Sequence, residues 1–403
     1  MKIGLLTYHW VANFGANLQA LSTINNIKIN GHEPIMINWI PEKLEKAYSK
    51  CISLEQSEAH KDFNKQNFPL SKLCRNSKDI SSVIEQEKID LVIIGSDAVF
   101  SYQPFLDRFA LSKRYGIRYI RPNEDRTFPN PFWGDFLNYI KVPVAIMSAS
   151  AQNSNYKLIF SKKRIGEFNE ALEKFVYVSV RDVWTQEMIK KVTYNNLIPK
   201  ITPDPVFAFN YNVSTDVTKQ YIINKYNLPA NYILLSVKEQ VFNSKWVYSL
   251  KELFLQKGIE LITFPSANNY STFFTDDTIQ RICLPLPVLD WYYLIKYSQG
   301  YIGELMHPII VSLHNANPFY SIDTYGFANK GKLDVNSSKI YQILNRFNLL
   351  NNMYNPLLKI VPPTPMEVYE KIINFDKDKC LKIAYSMYLD YSLMMNEIYR
   401  IKA

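Results

Sequence analysis

Cysteine is scarce in this sequence and widely spaced. The four cysteines, Cys51, Cys74, Cys283 and Cys380, lie far apart, and no two of them form a CxxC pair. A zinc site or a redox motif would use such pairs, so we expect no metal site in this chain. Reduced thiols are typical of the cytoplasm, and the sequence therefore predicts a cytoplasmic protein.

The sequence also lacks the signals that direct a chain into or across a membrane. It contains no stretch of about 18 uncharged apolar residues, the length that a spanning helix needs. The opening segment MKIGLLTYHW has neither the charged head nor the small-residue cleavage site of a signal peptide. These absences argue against a transmembrane segment and against a cleaved export signal.

Signatures of phosphate-binding loops and of nucleic-acid binding are missing as well. Residues 13–17 contain one glycine and no Lys-Ser or Lys-Thr ending, so they form no P-loop, and GxGxxG is absent. The net charge is +9, but the basic residues form no block, and we expect no nucleic-acid partner. The surplus fits an anionic small substrate, a peripheral contact with an anionic membrane, or solubility alone.

The sequence does contain enough apolar residues for two folded domains. A chain of 403 residues, 47% of them hydrophobic, exceeds the size of one ordinary core. Short apolar runs of strand length alternate with segments of helical periodicity over residues 3–205, and the alternation resumes over residues 232–322. This pattern predicts an α/β protein with two Rossmann-like domains that face a cleft.

The same pattern gives the domain boundaries. We place an N-terminal Rossmann-like domain at residues 1–215, a C-terminal Rossmann-like domain at residues 216–365, and a helical tail at residues 366–403. The tail is expected to pack on both lobes. Its predicted apolar face consists of Ile372, Ile373, Leu381, Ile383 and Leu393.

Residues 107–136 interrupt the alternation of the first domain. They are rich in arginine, proline, asparagine and aromatic residues, and they look like a long insertion or loop. Loops of this length within a compact domain commonly carry a function, so we expect one here.

Ligands of open α/β sheets bind where parallel strands end and helices begin. Polar or charged residues follow the predicted strands at five such corners, and together these corners predict a cleft. The corners lie at residues 13–17, 95–97, 148–150, 181–182 and 304–307. The candidate binding residues taken from them are Asn13, Gly15, Asn17, Ser96, Ser150 and Glu304. Asn13 fits a helix cap equally well.

Three corner residues carry groups suited to catalysis. Asp97 could accept a proton from a sugar hydroxyl, although an aspartate at a strand end more commonly caps a helix. Arg181 suits a carboxylate or phosphate, and the alternative is an ion pair with Asp182 or Asp204. His307, at a predicted helix start, could donate a proton or contact a phosphate, and the alternative is a structural histidine.

The order of these segments resembles that of a known family. TYHWVANFGANLQA is followed by DLVIIGSDAVF, a strand ending in SAS, VSVRD and TPDPVF, and the second half contains YIGELMHPIIVSLHNANPFYSI. In this order and spacing the segments resemble polysaccharide pyruvyl transferases. The resemblance extends over residues 2–325 and implies a GT-B-like arrangement of the two domains, with C-terminal helices that cross back.

The resemblance also implies an activity. These enzymes move a pyruvyl group from phosphoenolpyruvate onto two hydroxyls of one sugar and form a ketal, without a cofactor. For this chain it implies that Arg181 and His307 lie near the donor's carboxylate and phosphate, with Asp97 as base or sugar contact. The N-terminal domain would hold the acceptor, a polysaccharide sugar or its lipid-linked precursor. A lipid-linked acceptor would suggest that the protein acts at the inner face of the membrane.

The sequence departs from the family pattern at two places. The family usually has an arginine two residues before the histidine, where this chain has Leu305, and Met306 replaces the leucine that follows. Ala98 and Phe100 alter the usual Gly-Ser-Asp-Gln-x-Trp. We expect Lys238, at the end of a second-domain strand, to supply the missing positive charge.

Two other functions compete with this one. A glycosyltransferase with a nucleotide-sugar donor would use the same scaffold and an acidic residue for the donor ribose, for which Glu304 is the candidate. A non-catalytic relative that binds a saccharide would fit the lost arginine. No motif in the sequence indicates the acceptor sugar or the oligomeric state.

Overall fold

Two parallel β-sheets organise the chain. The structure is a computed structural model, and it describes residues 1–112, 116–151, 154–267, 274–329 and 331–401. In these ranges the first sheet has six strands in the order β2-β1-β3-β4-β5-β6, and all neighbours are parallel. The strands are β1 (Lys2–Leu6), β2 (Glu33–Met36), β3 (Leu91–Asp97), β4 (Val144–Ala149), β5 (Tyr177–Val180) and β6 (Lys200–Ile201).

The second sheet repeats the design with five strands in the described part of the chain. Their order is β8-β7-β9-β10-β11, again with parallel neighbours. The strands are β7 (Tyr232–Ser236), β8 (Glu260–Thr263), β9 (Gly300–Gly303), β10 (Phe319–Ile322) and β11 (Met353–Tyr354). The predicted fold class, two Rossmann-like α/β domains, is confirmed.

Helices connect the strands. No helix in the described ranges combines the length and the apolar character that crossing a bilayer demands. The helices of the first lobe are α1 (Phe14–Ile29), α2 (Glu42–Tyr48), α3 (Leu54–Asn67), α4 (Ser77–Gln86), α5 (Lys162–Glu173) and α6 (Val183–Val192). Those that follow are α7 (Phe209–Asn212), α8 (Lys219–Tyr226), α9 (Ser244–Leu255), α10 (Val288–Tyr297), α11 (Met306–His314), α12 (Lys339–Arg346), α13 (Pro365–Ile373) and α14 (Lys377–Tyr399).

Side-chain caps determine where the helices at the cleft begin. The side chain of Asn13 accepts a hydrogen bond from the backbone N–H of Ala16 at 3.3 Å and starts α1. Asp182 accepts from the backbone N–H of Thr185 at 2.7 Å and starts α6. Each cap satisfies a donor that the first helical turn leaves unpaired, so the helix begins immediately after the strand loop.

The strand order opens one crevice in each sheet. In the first sheet the chain leaves β1 towards β2 on one side and returns to β3 on the other, so the connections after β1 and β3 diverge. The second sheet has the same relation between β7 and β9. Ligands bind at such switch points, which makes residues 13–17, 95–97 and 304–307 the corners nearest the cleft.

Helix α1 connects the two lobes across the base of the cleft. It packs against α10, α11 and the turn at residues 205–208. The ring of Phe14 stacks on that of Trp291 in α10, with centroids 5.1 Å apart and planes at 12°. One continuous apolar cluster contains residues of both sheets, including Leu5 and Leu234. The base of the cleft is therefore packed as a protein interior.

The C-terminal helices cross back over both lobes, as predicted. In α14 the sulfur of Met394 lies 3.3 Å from the hydroxyl of Ser148 in the first sheet. The thiol of Cys380, near the start of α14, lies 3.4 Å from the carbonyl of Leu313 in α11. A single helix therefore contacts both halves of the protein.

The apolar face predicted for the tail is wrong in register. Ile373, Leu381 and Leu393 are exposed, although Ile372 is buried as expected and Ile383 is partly buried against the core. The buried positions of α14 recur at intervals of three and four residues on a face rotated from the predicted one, and smaller or more polarisable side chains fill the contact there. They are Cys380, Ala384, Met387, Tyr391, Met394, Met395 and Ile398.

The insertion at residues 107–136 is partly ordered into secondary structure. Phe109–Ser112 and Gly116–Tyr119 form an antiparallel ribbon. Short 3-10 turns follow at residues 124–126, 131–133 and 135–138. The hydroxyl of Tyr8, just after β1, donates to Asp125 at 2.6 Å and fixes the base of the insertion to the first sheet.

The packing of α14 gives a matched pair of substitutions. Met394→Ala removes a side chain that is 2% exposed and contacts the first sheet. We expect it to lower the free energy of unfolding by about 2–5 kcal/mol, because a buried cavity remains. Its neighbour Leu393 is 62% exposed, and Leu393→Ala should change the value by less than about 0.5 kcal/mol. Urea denaturation monitored by circular dichroism measures both, and equal losses would contradict the observed register.

Candidate active site

The first turns of two helices, one from each lobe, meet at His307. His307 is the second residue of α11, and its imidazole packs directly against Gly15 at the start of α1. A Cβ atom at residue 15 would lie 2.0 Å from His307 Cγ, well inside contact distance. The approach therefore requires glycine at this position, and the predicted role of Gly15 in substrate binding stays a prediction.

A chain of polar contacts joins His307 to the first lobe. Gln19 of α1 donates from Nε2 to Asp204, and the same nitrogen lies 3.3 Å from His307 Nε2. Because the amide nitrogen has to face the carboxylate, it also faces the imidazole, and His307 Nε2 then carries the lone pair. Burial lowers the pKa of His307, while Asp204 and Asp97 oppose that shift. The imidazole is therefore neutral in the free protein at pH 7.

Arg181 lies between two carboxylates at the end of β5. Its Nη1 is 2.6 Å from Asp204 Oδ2, and its Nη2 is 3.5 Å from Asp97 Oδ1. Burial works against the charge, but Asp204, Asp97 and Asp182 outweigh it and raise the pKa of Arg181. The alternative of an ion pair with Asp204 is confirmed. Among the described residues, Nε and Nη2 have no hydrogen-bond partner, so the guanidinium retains free donors.

A cavity of about 240 Å³ lies between the lobes next to His307 and Asp97, whereas Arg181 lines a different cavity of about 320 Å³. The wall of the cavity at His307 brings together residues of three corners and of the loop that precedes α12. The lining residues are Asn13, Asp97, Glu304, Leu305, Met306, His307, Asp323, Tyr325, Ser337, Lys339 and Ile340. Leu305 faces the cavity, so the motif arginine that this chain lacks would have reached the same space.

Lys339 is a charged residue of this cavity that the sequence analysis did not single out. It is the first residue of α12, and no ion pair or hydrogen bond of its ammonium group exists within the described residues. Burial lowers the pKa of Lys339 to about 8, and Arg181 adds to the effect while nearby carboxylates oppose it. An unpaired cation in a cavity is a candidate anion site. Ser338, which caps α12, was the available sequence signal.

Lys238 does not supply the missing charge in the way the sequence suggested. Its ammonium group forms an ion pair with Glu304 at 2.6 Å, and its backbone N–H donates to the same carboxylate at 3.0 Å. Glu304 is almost completely buried. Each of the two residues therefore neutralises the other, and Glu304 is not left free for a donor ribose.

Three predicted binding residues lie beneath the cavity wall, buried and hydrogen-bonded inside the protein. Asn17 donates to the carbonyl of His9 at 2.7 Å. Ser96 donates to the carbonyl of Ser148 at 3.1 Å, and Ser150 donates to the Asp182 carboxylate at 2.7 Å. Asn13, Asp97, Glu304 and His307 reach the cavity directly. Their roles towards a substrate stay predictions.

A larger cavity of about 430 Å³ opens beside the first one, within the N-terminal lobe. It lies between the loop after β1 and helices α2 and α3, and Trp10 and Tyr48 form an edge-to-face aromatic pair there, 5.6 Å apart. A small pocket of about 170 Å³ is lined by Tyr48 on one side and His307 on the other. This pocket shares Tyr48 with the larger cavity and His307 with the first one, so it lies between them.

No cluster of three or more metal-binding side chains occurs in the described part of the chain. The charged or titratable side chains that line the cavity are instead three carboxylates, an ammonium and an imidazole, and the guanidinium of Arg181 forms an ion pair with one of these carboxylates, Asp97. This set can bind an anion and transfer protons.

The fold and cleft define a GT-B-like two-domain α/β protein, and the sequence gives its family. Residues 13–325 match the family described as polysaccharide pyruvyl transferase. The match includes the greater part of both lobes and all five strand-end corners, so the chain belongs to this family. No curated protein matches the chain.

Solved structures of low sequence identity share the architecture. A putative UDP-N-acetylglucosamine 2-epimerase from Listeria monocytogenes is 8% identical, with 98% of this chain and 94% of that chain covered and a TM-score of 0.52. A Neisseria meningitidis UDP-GlcNAc 2-epimerase is 11% identical, with 98% and 100% covered and a TM-score of 0.47. Heptosyltransferase II of E. coli is 9% identical, with 97% and 100% covered and a TM-score of 0.41. Of these three, the Listeria protein has a TM-score above 0.5, and its likeness concerns the fold alone.

The contact between Gly15 and His307 predicts opposite effects for two glycine substitutions. Gly15→Ala should destabilise the protein by about 1–3 kcal/mol, since the imidazole has to move. Gly166 lies within α5 and has open space where a Cβ atom would be, so Gly166→Ala should stabilise by about 0.5–1 kcal/mol. Thermal and urea unfolding compare the two. A neutral Gly15→Ala variant would show that the imidazole does not pack against α1.

Proposed function

We propose that the protein transfers a pyruvyl group from phosphoenolpyruvate to two hydroxyls of one sugar in a polysaccharide or its lipid-linked precursor. The product would be a pyruvate ketal, and inorganic phosphate would be released. The observation that carries the proposal is that His307, Lys339 and Asp97 line one cavity between the lobes, with Arg181 behind it in an ion pair with Asp97. Membership of the pyruvyl transferase family supports a transferase with a saccharide acceptor.

The donor carries two anionic groups, a carboxylate and a phosphate, and we assign one cation to each. We assign Lys339 to one of them because its ammonium group faces the cavity unpaired among the described residues. Arg181 retains two unsatisfied N–H groups within the described contacts, and a planar guanidinium matches a carboxylate. Lys339 therefore takes the place we had expected Lys238 to fill.

The reaction requires a proton at the donor's methylene carbon and removal of protons from the sugar. Protonation makes the adjacent carbon electrophilic, one hydroxyl attacks it, phosphate leaves, and the second hydroxyl closes the ketal. We assign His307 as the acid or phosphate contact, since a bound phosphate dianion would raise the pKa of the neutral imidazole. Asp97 then serves as base towards a sugar hydroxyl, and its ion pair with Arg181 orients the Asp97 carboxylate.

We place the acceptor sugar in the larger cavity of the N-terminal lobe. Trp10 offers a flat apolar surface of the kind on which sugar rings stack, and Tyr48 separates this cavity from the pocket at His307. Lys61 and Lys65 lie in the wall, where they could contact an anionic substituent of the acceptor. This assignment agrees with the sequence expectation that the N-terminal domain holds the acceptor.

The decisive experiment incubates the protein with phosphoenolpyruvate and a panel of glycans and measures free phosphate and the mass gained by the sugar. We expect His307→Ala to lower kcat by about 10²–10⁴-fold, the range for loss of a general acid. His32→Ala is the matched control, because this histidine lies at the surface near the N-terminus and away from the cleft. It should leave the rate unchanged.

Two results would contradict the proposal. One is phosphate release by His307→Ala at the rate of the unmodified protein, which would remove the imidazole from the mechanism. The other is turnover of a nucleotide sugar, but not of phosphoenolpyruvate, with the same glycans. That outcome would assign the cleft to a glycosyltransferase.

Lys339 predicts a pH dependence for donor binding. Its pKa of about 8 means that the ammonium group loses its charge as the pH rises through 8, while a phosphate monoester is already a dianion. The affinity for phosphoenolpyruvate should therefore fall above pH 8, by up to about tenfold per pH unit. Lys339→Met should bind weakly at every pH and lose this dependence. Calorimetric titrations between pH 6.5 and 9.5 test both points.

The stability of the free protein should change in the opposite direction. In the unfolded chain Lys339 keeps its proton up to the ordinary lysine pKa of 10.5, whereas in the folded protein it loses the proton near pH 8. The folded protein is therefore destabilised by the charged Lys339 below pH 8, and this destabilisation disappears between pH 8 and 10.5.

For donor binding, an affinity that does not change with pH while Lys339 is present would exclude this lysine as the anion contact.

A further inference from the structure

The insertion after β3 presents an apolar surface that the described residues leave uncovered. Its ribbon pairs Phe109 with Tyr119 and Ala110 with Arg118. Ile117 is 70% exposed and Tyr119 50%, and Phe109 is exposed as well. Exposed apolar patches of this kind mark interaction sites in water-soluble folds.

The register of the ribbon gives it one apolar, aromatic face and one face that carries Arg118. Side chains alternate along a strand, so Phe109, Tyr119 and Ile117 share one face while Arg118 lies on the other. The rings of Phe105 and Phe109 are 5.2 Å apart, and those of Phe109 and Tyr119 are 5.5 Å apart, which gives a row of three aromatic rings. A two-stranded ribbon is marginal in water by itself, and a partner for this face would stabilise it.

The charge of the segment indicates which partner fits. Residues 105–121 contain five basic residues and one acidic residue, a net charge of +4 within a protein whose total is +9. Arg118 and Arg121 are exposed. Aromatic side chains beside arginines suit the headgroup region of an anionic bilayer. A second copy of the chain would instead bring like charges together.

We propose that this ribbon docks the protein on an anionic lipid surface. Phe109, Ile117 and Tyr119 enter the headgroup region, and Arg118 and Arg121 contact lipid phosphates. The segment follows β3, whose last residue, Asp97, lines the cleft. Docking would hold the protein at the membrane, where a lipid-linked saccharide is held. The inference depends on the ribbon alone and not on the pyruvyl transfer proposed above.

Co-sedimentation of the full chain with vesicles tests it, without donor or acceptor. We expect binding to phosphatidylcholine vesicles containing one quarter phosphatidylglycerol, weak binding to pure phosphatidylcholine, and a loss of binding in high salt. Phe109→Ser/Ile117→Ser/Tyr119→Ser should weaken binding at least about tenfold, since three inserted apolar side chains are removed. The charge variant Arg118→Glu/Arg121→Glu should do the same.

The matched control is Ile360→Ser/Val361→Ser, which removes two exposed apolar side chains from a loop of the second lobe. It should bind as the unmodified protein does, and thermal unfolding shows whether every variant is folded. Absent binding to the anionic vesicles, or equal binding by the triple-serine variant, overturns the proposal. A dimer in solution that the triple-serine variant dissociates, with no vesicle binding, would identify the face as a self-association surface and also overturn it.

Discussion

The close approach of His307 to the first turn of α1 is the contact on which the site depends. It is possible only because residue 15 has no side chain, and it brings the start of a second-lobe helix against the start of a first-lobe helix. Through Gln19 the same contact connects the imidazole to Asp204 and hence to Arg181. A larger residue at position 15 would separate the lobes at the point where the reacting groups converge.

Charge balance explains why the cleft can hold several ionised groups. Arg181 is buried, and its charge is matched by Asp204 and Asp97, so the cluster costs less than an isolated charge would. Lys238 and Glu304 form a second balanced pair. Within the described contacts, the cation left unbalanced in the cavity is Lys339, which can lower the cost of burying a donor anion. Burial is the main reason that the pKa of Lys339 falls to about 8, and Arg181 adds to the effect.

The strand-end rule explains which site residues the sequence could indicate. Asp97, Arg181 and His307 each follow a strand with a strong apolar pattern, and parallel strands bring their ends to one edge. Lys339 follows a long irregular connection instead, so no strand end marked it. Lys238 follows a strand and was singled out for that reason, but only the side-chain packing showed that Glu304 neutralises it. In the C-terminal tail, the leucine and isoleucine positions gave a wrong prediction of the buried face, because α14 buries Met394 and Tyr391 rather than Leu393.

The sequence by itself determined the alternation of strands and helices, the two Rossmann-like lobes, the corners at which ligands could bind and the family resemblance. These follow from local periodicity, capping residues and ordered motifs, all of which act over short stretches of chain. The tertiary structure decided which corners meet, which charges are paired and which face of the tail is buried. Those outcomes depend on contacts between residues such as Gly15 and His307, which are almost 300 positions apart, and no local pattern encodes such a distance.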